Sequence, residues 1–414
     1  MKAPLRVFAV EAQTGPFGSQ LHADEYIEDG VPVINPSNIK DGRLIPNRHA
    51  TVSKSTSERL AVHRLRQGDL VFARRGELGR SAIVPIDATG WLCGTGSIRV
   101  RVDFKKLYPR YAGYALQSEE TRGYFSRLAV GSTMENLNTS IVLGTPIPVL
   151  PLEEQRRIAE FLDAETAHID ALSMRRASQI GLLLGSEESL IAETLERFPG
   201  RATRIKHVTN RITSGPRGWG DLVAETGSLF LRITNIPRRG VTLDLRDSLY
   251  VDAPPGPERE RSRTQAGDVL VSITADIGSV ALVDERGSNG NISQHVALVR
   301  PMPAACNSQW LAYALKSARS RQSLRMNSYG GTKAGLGLGE VANLVVNVPS
   351  LSEQKESATQ IDRALTQHEK LRATMARQLS LLNERRQALI TAAVTGQFDV
   401  STASGRNVTE GVSV

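Results

Sequence analysis

Two adjacent arginines, Arg74 and Arg75, stand between an apolar run and Gly76. Guanidinium groups bind phosphate oxygens and guanine edges, so this pair could meet a nucleic acid. Strand alternation allows at most one of the two to share the inward face of Phe72; the other should project outward. Lys54, between Ser53 and Ser55, offers the same chemistry, and so do Arg217, Arg238, Arg239 and Lys333 later in the chain. Ser19, Asn35 and Asn38 add short polar side chains to Gly- and Pro-rich stretches. For any one of these residues a solvated surface position is the ordinary role. As a set on positively charged segments, contact with DNA is the better reading.

Catalytic patterns fare worse. Gly335-Leu336-Gly337-Leu338-Gly339 follows Tyr329–Lys333, not the buried strand that a cofactor loop requires. Asn35-Pro36-Ser37-Asn38 lacks the tetrad of an adenine methyltransferase. No phosphate-binding GxxxxGK[ST] string occurs, and Glu353-Gln354-Lys355 reads as a helix start rather than the end of a nuclease motif. The seven histidines show no metal-ligand spacing, and the two cysteines, Cys93 and Cys306, allow neither a disulfide framework nor a cysteine zinc site. The chain is therefore expected to hold no metal or cofactor and to catalyse nothing itself.

Composition narrows the class further. The 414 residues are 40% hydrophobic and 23% charged, which suits a folded protein of two to four domains. No run has the length of a membrane span, and the N-terminus lacks an apolar signal core. A cytoplasmic location is expected. The net charge of +8 is unevenly spread. Residues 1–151 carry 19 basic and 14 acidic side chains (+5), residues 152–199 carry 5 and 10 (−5), residues 200–350 carry 19 and 12 (+7), and the remainder carry 8 and 7 (+1). Two basic segments are thus parted by an acidic one. Aromatic residues are only 5%, which disfavours a binder that works by base stacking.

The elements that must position these residues are duplicated. Gly68–Val84 matches Gly267–Val283 at an offset of 199, with 5 of 17 positions identical. The same offset aligns Tyr111–Leu116 with Trp310–Leu315, Gly131-Ser132-Thr133 with Gly330-Gly331-Thr332, and Leu152–Gln155 with Leu351–Gln354. Each copy has a head and a tail. The heads, 1–151 and 200–350, contain short apolar runs that read as strands: Val31–Ile34, Leu70–Ala73, Ile98–Val102, Leu229–Ile233, Val269–Ile273 and Val296–Val299. Residues 108–128 and 309–325 read as helices. The tails, 152–199 and 351–400, are long helices. Leu162, Ile169, Arg176, Leu183 and Leu190 recur every seven residues, as do Ile361, His368, Met375, Leu382 and Leu389. A helix of about 40 residues is roughly 60 Å long, and two such helices joined through a head would pair most easily as an antiparallel coiled coil. Gly396 is placed to cap the second, and 401–414 has the composition of a disordered tail. The fold class is α+β: two tandem β-rich heads separated by two long helices.

The Gly-Asp-Leu-Val-Phe run with Ile147–Gln155, followed by a long helix and then repeated, resembles the DNA-specificity subunit of type I restriction–modification systems. The resemblance spans nearly the whole chain, including Gly15-Pro16-Phe17-Gly18 and Val31–Ile39. The second head departs from it, with Ser214-Gly215-Pro216-Arg217-Gly218-Trp219-Gly220 in place of the Phe-Gly-Ser opening. The resemblance implies that each head is a target-recognition domain reading half of a bipartite, asymmetric duplex sequence. It implies that the helices space the heads and dock two methyltransferase subunits, with restriction/translocase subunits completing the complex. S-adenosylmethionine would then belong to the methyltransferase partners, not to this chain.

Overall fold

Each head starts and finishes on one ribbon. Lys2–Pro4 pairs antiparallel with Pro146–Pro148, and Arg201–Arg204 pairs the same way with Val345–Val348. The computed structural model describes residues 1–76, 79–130, 137–326, 335–397 and 400. The chain divides into two units. One joins residues 1–176 to the chain from Arg377 onward, and the other is 177–376. Each unit therefore holds one head, the start of that head's own tail, and the end of the other tail.

The central sheet of the first head contains β1 (Ala9–Thr14), β2 (Leu70–Ala73), β3 (Ser81–Ile83) and β4 (Ser97–Val102), in the order β1-β4-β2-β3. All its neighbours are antiparallel. Every residue of β2 is buried, because both faces of the sheet are covered. Leu70 and Phe72 point into a cluster with Tyr111, Leu116 and Leu162, whereas Val71 and Ala73 point into a second cluster with Ile34 and Cys93. The second cluster lies under a smaller sheet, in which Val31–Ile34 pairs parallel with Leu92–Cys93 and antiparallel with Thr51–Val52.

The second head repeats this plan. Its central sheet is β5 (Thr209–Ser214), β6 (Val269–Ser272), β7 (Val280–Leu282) and β8 (Val296–Pro301), in the order β5-β8-β6-β7. Ser228–Leu231 and Asn291–Ile292 form the matching parallel pair.

The helical stretch expected at 108–128 is two helices, α1 (Pro109–Gln117) and α2 (Glu119–Val130). Ser118 breaks it: its Oγ donates to Ala115 O at 2.7 Å and accepts Thr121 N at 3.4 Å, which caps the second helix. Ser317 does the same later, donating to Ala314 O at 2.8 Å.

The tails are 45-residue helices, α3 (Leu152–Glu196) and α6 (Leu351–Thr395). Two further helices, α4 (Ser308–Lys316) and α5 (Ala318–Met326), lie before the second tail. Gly396, at φ +72°, ends α6 in the left-handed conformation, and Gln397 N donates back to Ala392 O at 2.9 Å.

Within the first unit α1 lies against both tails. Its start meets Gln155 through Tyr108 N, and Tyr114 Oη reaches Asp163 at 2.8 Å and Thr166 at 3.2 Å. On the other tail Tyr111 Oη reaches Val394 O, and Gln117 meets Arg386 and Gln387. Residue numbers rise along one tail and fall along the other, so the two stretches run antiparallel. In the second unit Asn307 and Tyr313 meet Gln354 and Asp362 in rising order, as Tyr108 and Tyr114 do in the first.

The heptad positions are buried unequally. Leu162 (0% exposed), Ile169 (3%) and Leu389 (2%) join the first unit's core, with Leu382 packed half-buried against it. Ile361 is fully buried in the second unit's core, and Met375 is also buried. Leu183 and Leu190 are half-buried. Ile191 and Leu195, not Leu190, contact the second unit's core.

Candidate nucleic-acid interface

In each head four chain segments meet where the large and small sheets adjoin. In the first head they are Gly15–Gln20 after β1, Asn35–Ser37, Arg74–Gly76 after β2, and Gly94–Gly96 before β4. Backbone bonds fix them: Gly15 N to Ser97 O at 3.0 Å, Gly94 N to Ile34 O at 2.9 Å, and Arg74 N to Gly96 O at 2.8 Å. Thr95 Oγ1 donates to Pro16 O at 2.9 Å. Gly15 is required here, because a Cβ on it would lie 1.9 Å from Gly94 O. The second head reproduces the frame, with Gly215 N to Ser293 O at 3.2 Å, Ser293 N to Leu231 O at 2.9 Å, and Ile273 N to His295 O at 3.1 Å. A Cβ on Gly215 would meet Ile292 O at the same 1.9 Å.

Several of the candidate residues lie on these edges. Ser19 is exposed in the turn Gly18–Gln20, and Asn35 is half-buried at the start of its loop. Arg74 and Arg75 diverge as strand alternation requires. Arg75 is exposed, whereas Arg74 is half-buried and stacks its guanidinium 4.9 Å over the Phe17 ring. Arg74 Nε donates to Leu137 O at 2.8 Å. Burial and the neighbouring Arg75 charge pull the Arg74 guanidinium below its usual range. Arg217 is exposed on the corresponding first loop of the second head.

The others fall elsewhere. Asn38 is buried, with Nδ2 donating to Ile45 O at 2.8 Å and Oδ1 accepting Asn35 N at 3.0 Å. Asn235 makes the same bracket in the second head, to Asp244 O and Arg232 N. Lys54 is exposed on the first turn of the short helix Lys54–Arg59, capped by Ser53 Oγ. That helix borders the first loop, where Arg59 donates to Gln20 O at 2.7 Å. Arg238 is exposed, 3.6 Å from Asp276, and its carbonyl accepts Lys316 Nζ. Arg239 lines a cleft beside α6 together with Glu369 and Arg372. Lys333 and both Gly-Ser-Thr/Gly-Gly-Thr segments lie outside the described residues, as does 401–414.

Much of the basic charge is consumed inside the heads. Arg101 Nε and Arg300 Nε meet the equivalent buried carboxylates Asp69 and Asp268 at 3.2 and 2.7 Å. Arg99 is fully buried, donating to Val62 O and Arg64 O at 2.9 Å each and pairing with Glu11. Its counterpart in the repeat is Leu298, a core residue. Sequence reasoning could not separate such structural arginines from exposed ones.

It also missed Gln294 and His295, both exposed on the second head's edge, and Arg232 beside them. The available signal was the repeat itself. These positions align with Thr95 and Gly96, between strands that match, at a point where the copies differ.

Among the described residues no group of three or more His, Cys, Asp or Glu side chains could hold a metal ion, and no helix is long and apolar enough to cross a membrane. Gly335 and Leu336 are tied to the Arg74-equivalent strand end, through a bridge to Thr274 and Leu336 N to Ile273 O at 2.9 Å.

Comparison with known proteins places the chain in a family. A family model described as the type I restriction modification DNA specificity domain matches residues 10–180 and 258–377. The type I restriction enzyme EcoBI specificity subunit of Escherichia coli is 23% identical over 410 residues, covering 90% of this chain and 81% of that protein. The EcoKI specificity subunit of Escherichia coli (strain K12) is 23% identical over 403 residues, covering 90% and 83%. Among solved structures, a chain from work described as the structural basis underlying complex assembly and conformational transition of the type I R-M system superposes with a TM-score of 0.73. It is 20% identical, with 96% of this chain and 98% of that one covered. The HsdS subunit from Thermoanaerobacter tengcongensis gives 0.57 at 20% identity, covering 96% and 97%.

Proposed function

The chain belongs to the type I restriction–modification DNA-specificity family, as a non-catalytic specificity subunit, and from that premise we propose that its two heads read the two halves of a bipartite, asymmetric duplex target. One observation carries the reading: the same hydrogen-bonded four-loop edge occurs in both heads, dressed with different side chains. At matching positions the first head carries Phe17, Ser19, Arg74 and Thr95 where the second carries Arg217, Trp219, Ile273 and Gln294. A shared frame with divergent side chains is what two readers of different sequences need. Arg74 and Arg75 serve phosphates, because a pair beside a tight turn needs no particular base.

The long helices dock two methyltransferase subunits and set the spacing. Restriction/translocase subunits join them, and S-adenosylmethionine is bound by the methyltransferase partners. The chain acts in the cytoplasm, where its DNA lies. The test is to exchange residues 1–151 for the head of another family member and sequence the methylated motif produced with the partners present. One half of the motif should change and the other should stay. A change in both halves, or in the spacer alone, refutes the reading.

A further inference from the structure

We propose that Gln294, held in place by His295, specifies an adenine in the half-site read by residues 200–350. The inference rests on the assignment of the head edges to DNA and names a base reader within it. Both side chains are exposed on the short connection between Asn291–Ile292 and β8. That connection is held by backbone hydrogen bonds. Ser293 N donates to Leu231 O at 2.9 Å, Val296 N to Ser293 O at 3.1 Å, Ile273 N to His295 O at 3.1 Å, and Gly215 N to Ser293 O at 3.2 Å. A backbone tied to three other segments and closed by a turn bond loses little freedom on binding, so its side chains can discriminate rather than adapt.

The pair is also oriented. Gln294 Nε2 lies 3.0 Å from His295 Nε2. An amide nitrogen only donates, so the contact fits the ring Nε2 as acceptor. This leaves Gln294 with one Nε2–H and its Oε1 side by side. Adenine presents N7 as acceptor beside the N6 amino donor, and matches that pattern in two parallel hydrogen bonds. Guanine offers two acceptors, cytosine a donor alone, and thymine an acceptor next to a methyl group. None of these satisfies both amide atoms. Next to the pair a cleft is lined by the largely buried Trp219 and Phe230 and by Arg232, whose guanidinium pairs with Asp247 at 3.2 Å.

The first head lacks the device. Its equivalent residues are Thr95, whose hydroxyl is committed to Pro16 O, and Gly96, which has no side chain. This contact is therefore confined to the half-site read by residues 200–350.

The experiment uses the full chain assembled with its modification subunits, with the methylated motif read by sequencing. Gln294→Ala should relax one adenine of the second half-site, lowering discrimination there roughly 5- to 150-fold while the first half-site is unaltered. Gln294→Glu should move that position toward cytosine, because a carboxylate only accepts. His295→Ala should weaken discrimination at the same position and at no other. An unchanged motif in Gln294→Ala overturns the proposal, provided the variant melts as the parent does, as an exposed substitution should. Exchange of the loop 215–221 in the same assay separates the two levels. A motif altered by the exchange but not by Gln294→Ala removes the base reader alone, and a motif altered by neither removes the DNA-facing assignment of this edge as well.

Discussion

Gln354 is the cleanest place to test how a head is fixed to its helix. Its side chain is 1% exposed, on the first turn of α6. Nε2 donates to Ala305 O at 3.1 Å and Pro349 O at 2.9 Å, while Oε1 accepts Asn307 N at 2.7 Å. Three backbone groups before α4 and α6 are thus satisfied by a single amide. Gln354→Leu keeps the volume and removes all three bonds. A buried backbone group left unpaired costs about 1–3 kcal/mol. Taking the low end for each, the loss is about 3 kcal/mol. In a unit of this size each kcal/mol shifts the melting midpoint by about 2–4 °C, so the variant should melt about 6–12 °C lower.

Gln155→Leu removes the matching bonds in the other unit, to Tyr108 N at 2.8 Å, Lys106 O at 3.2 Å and Leu150 O at 2.9 Å. The two glutamines share no contacts, so their effects should add in the double variant. Calorimetric or circular-dichroism melting measures this directly. A Gln354→Leu variant melting within about 2 °C of the parent would refute the clamp, and with it the view that the repeated Glu-Gln motif exists to mount the heads.

Three further outcomes are expected. Arg74→Ala should weaken DNA binding about equally for all sequences and reduce the salt slope by roughly one, measured by titration at several salt concentrations; a change confined to one base position would mark it as a base reader instead. Leu389→Ala should destabilise the first unit by about 2–5 kcal/mol in denaturant titration, because the side chain packs with Leu162 and Ile169 where the two tails meet. Cys93 and Cys306 should resist iodoacetamide at pH 8 until the chain is unfolded, as read by mass spectrometry: burial pushes both thiols up to about 12, leaving only about 10⁻⁴ as thiolate, and prompt alkylation of the native chain would show that the heads open readily.

Much of the architecture was legible in the order of residues. A collinear repeat at a fixed offset required two copies of one unit, whatever that unit was. Fully apolar runs such as Leu70–Ala73 marked strands covered on both faces, and a seven-residue repeat marked the long helices. These signals are local, so they survive without knowledge of the fold. The strand alternation at Phe72, Arg74 and Arg75 was legible for the same reason.

What only tertiary structure decided was which groups face outward. Arg74, Arg99 and Arg101 are the same residue type within one head, yet one stacks on Phe17 at the edge, one is sealed in the interior, and one neutralises Asp69. Asn35 and Asn38 stand three residues apart, but the second is consumed in bonding the backbone of Asn35 and Ile45. Gln294 and His295 carry no signal as a pair in the sequence, since a lone Gln-His pair has no spacing to mark it. Their exposure depends on where Leu231, Ile273 and Gly215 hold the backbone, contacts between segments far apart in the chain. Periodicity fixes which face of an element turns inward. The convergence of four distant segments on one edge is set by sheet pairing and by two glycines thin enough to let the strands' ends touch.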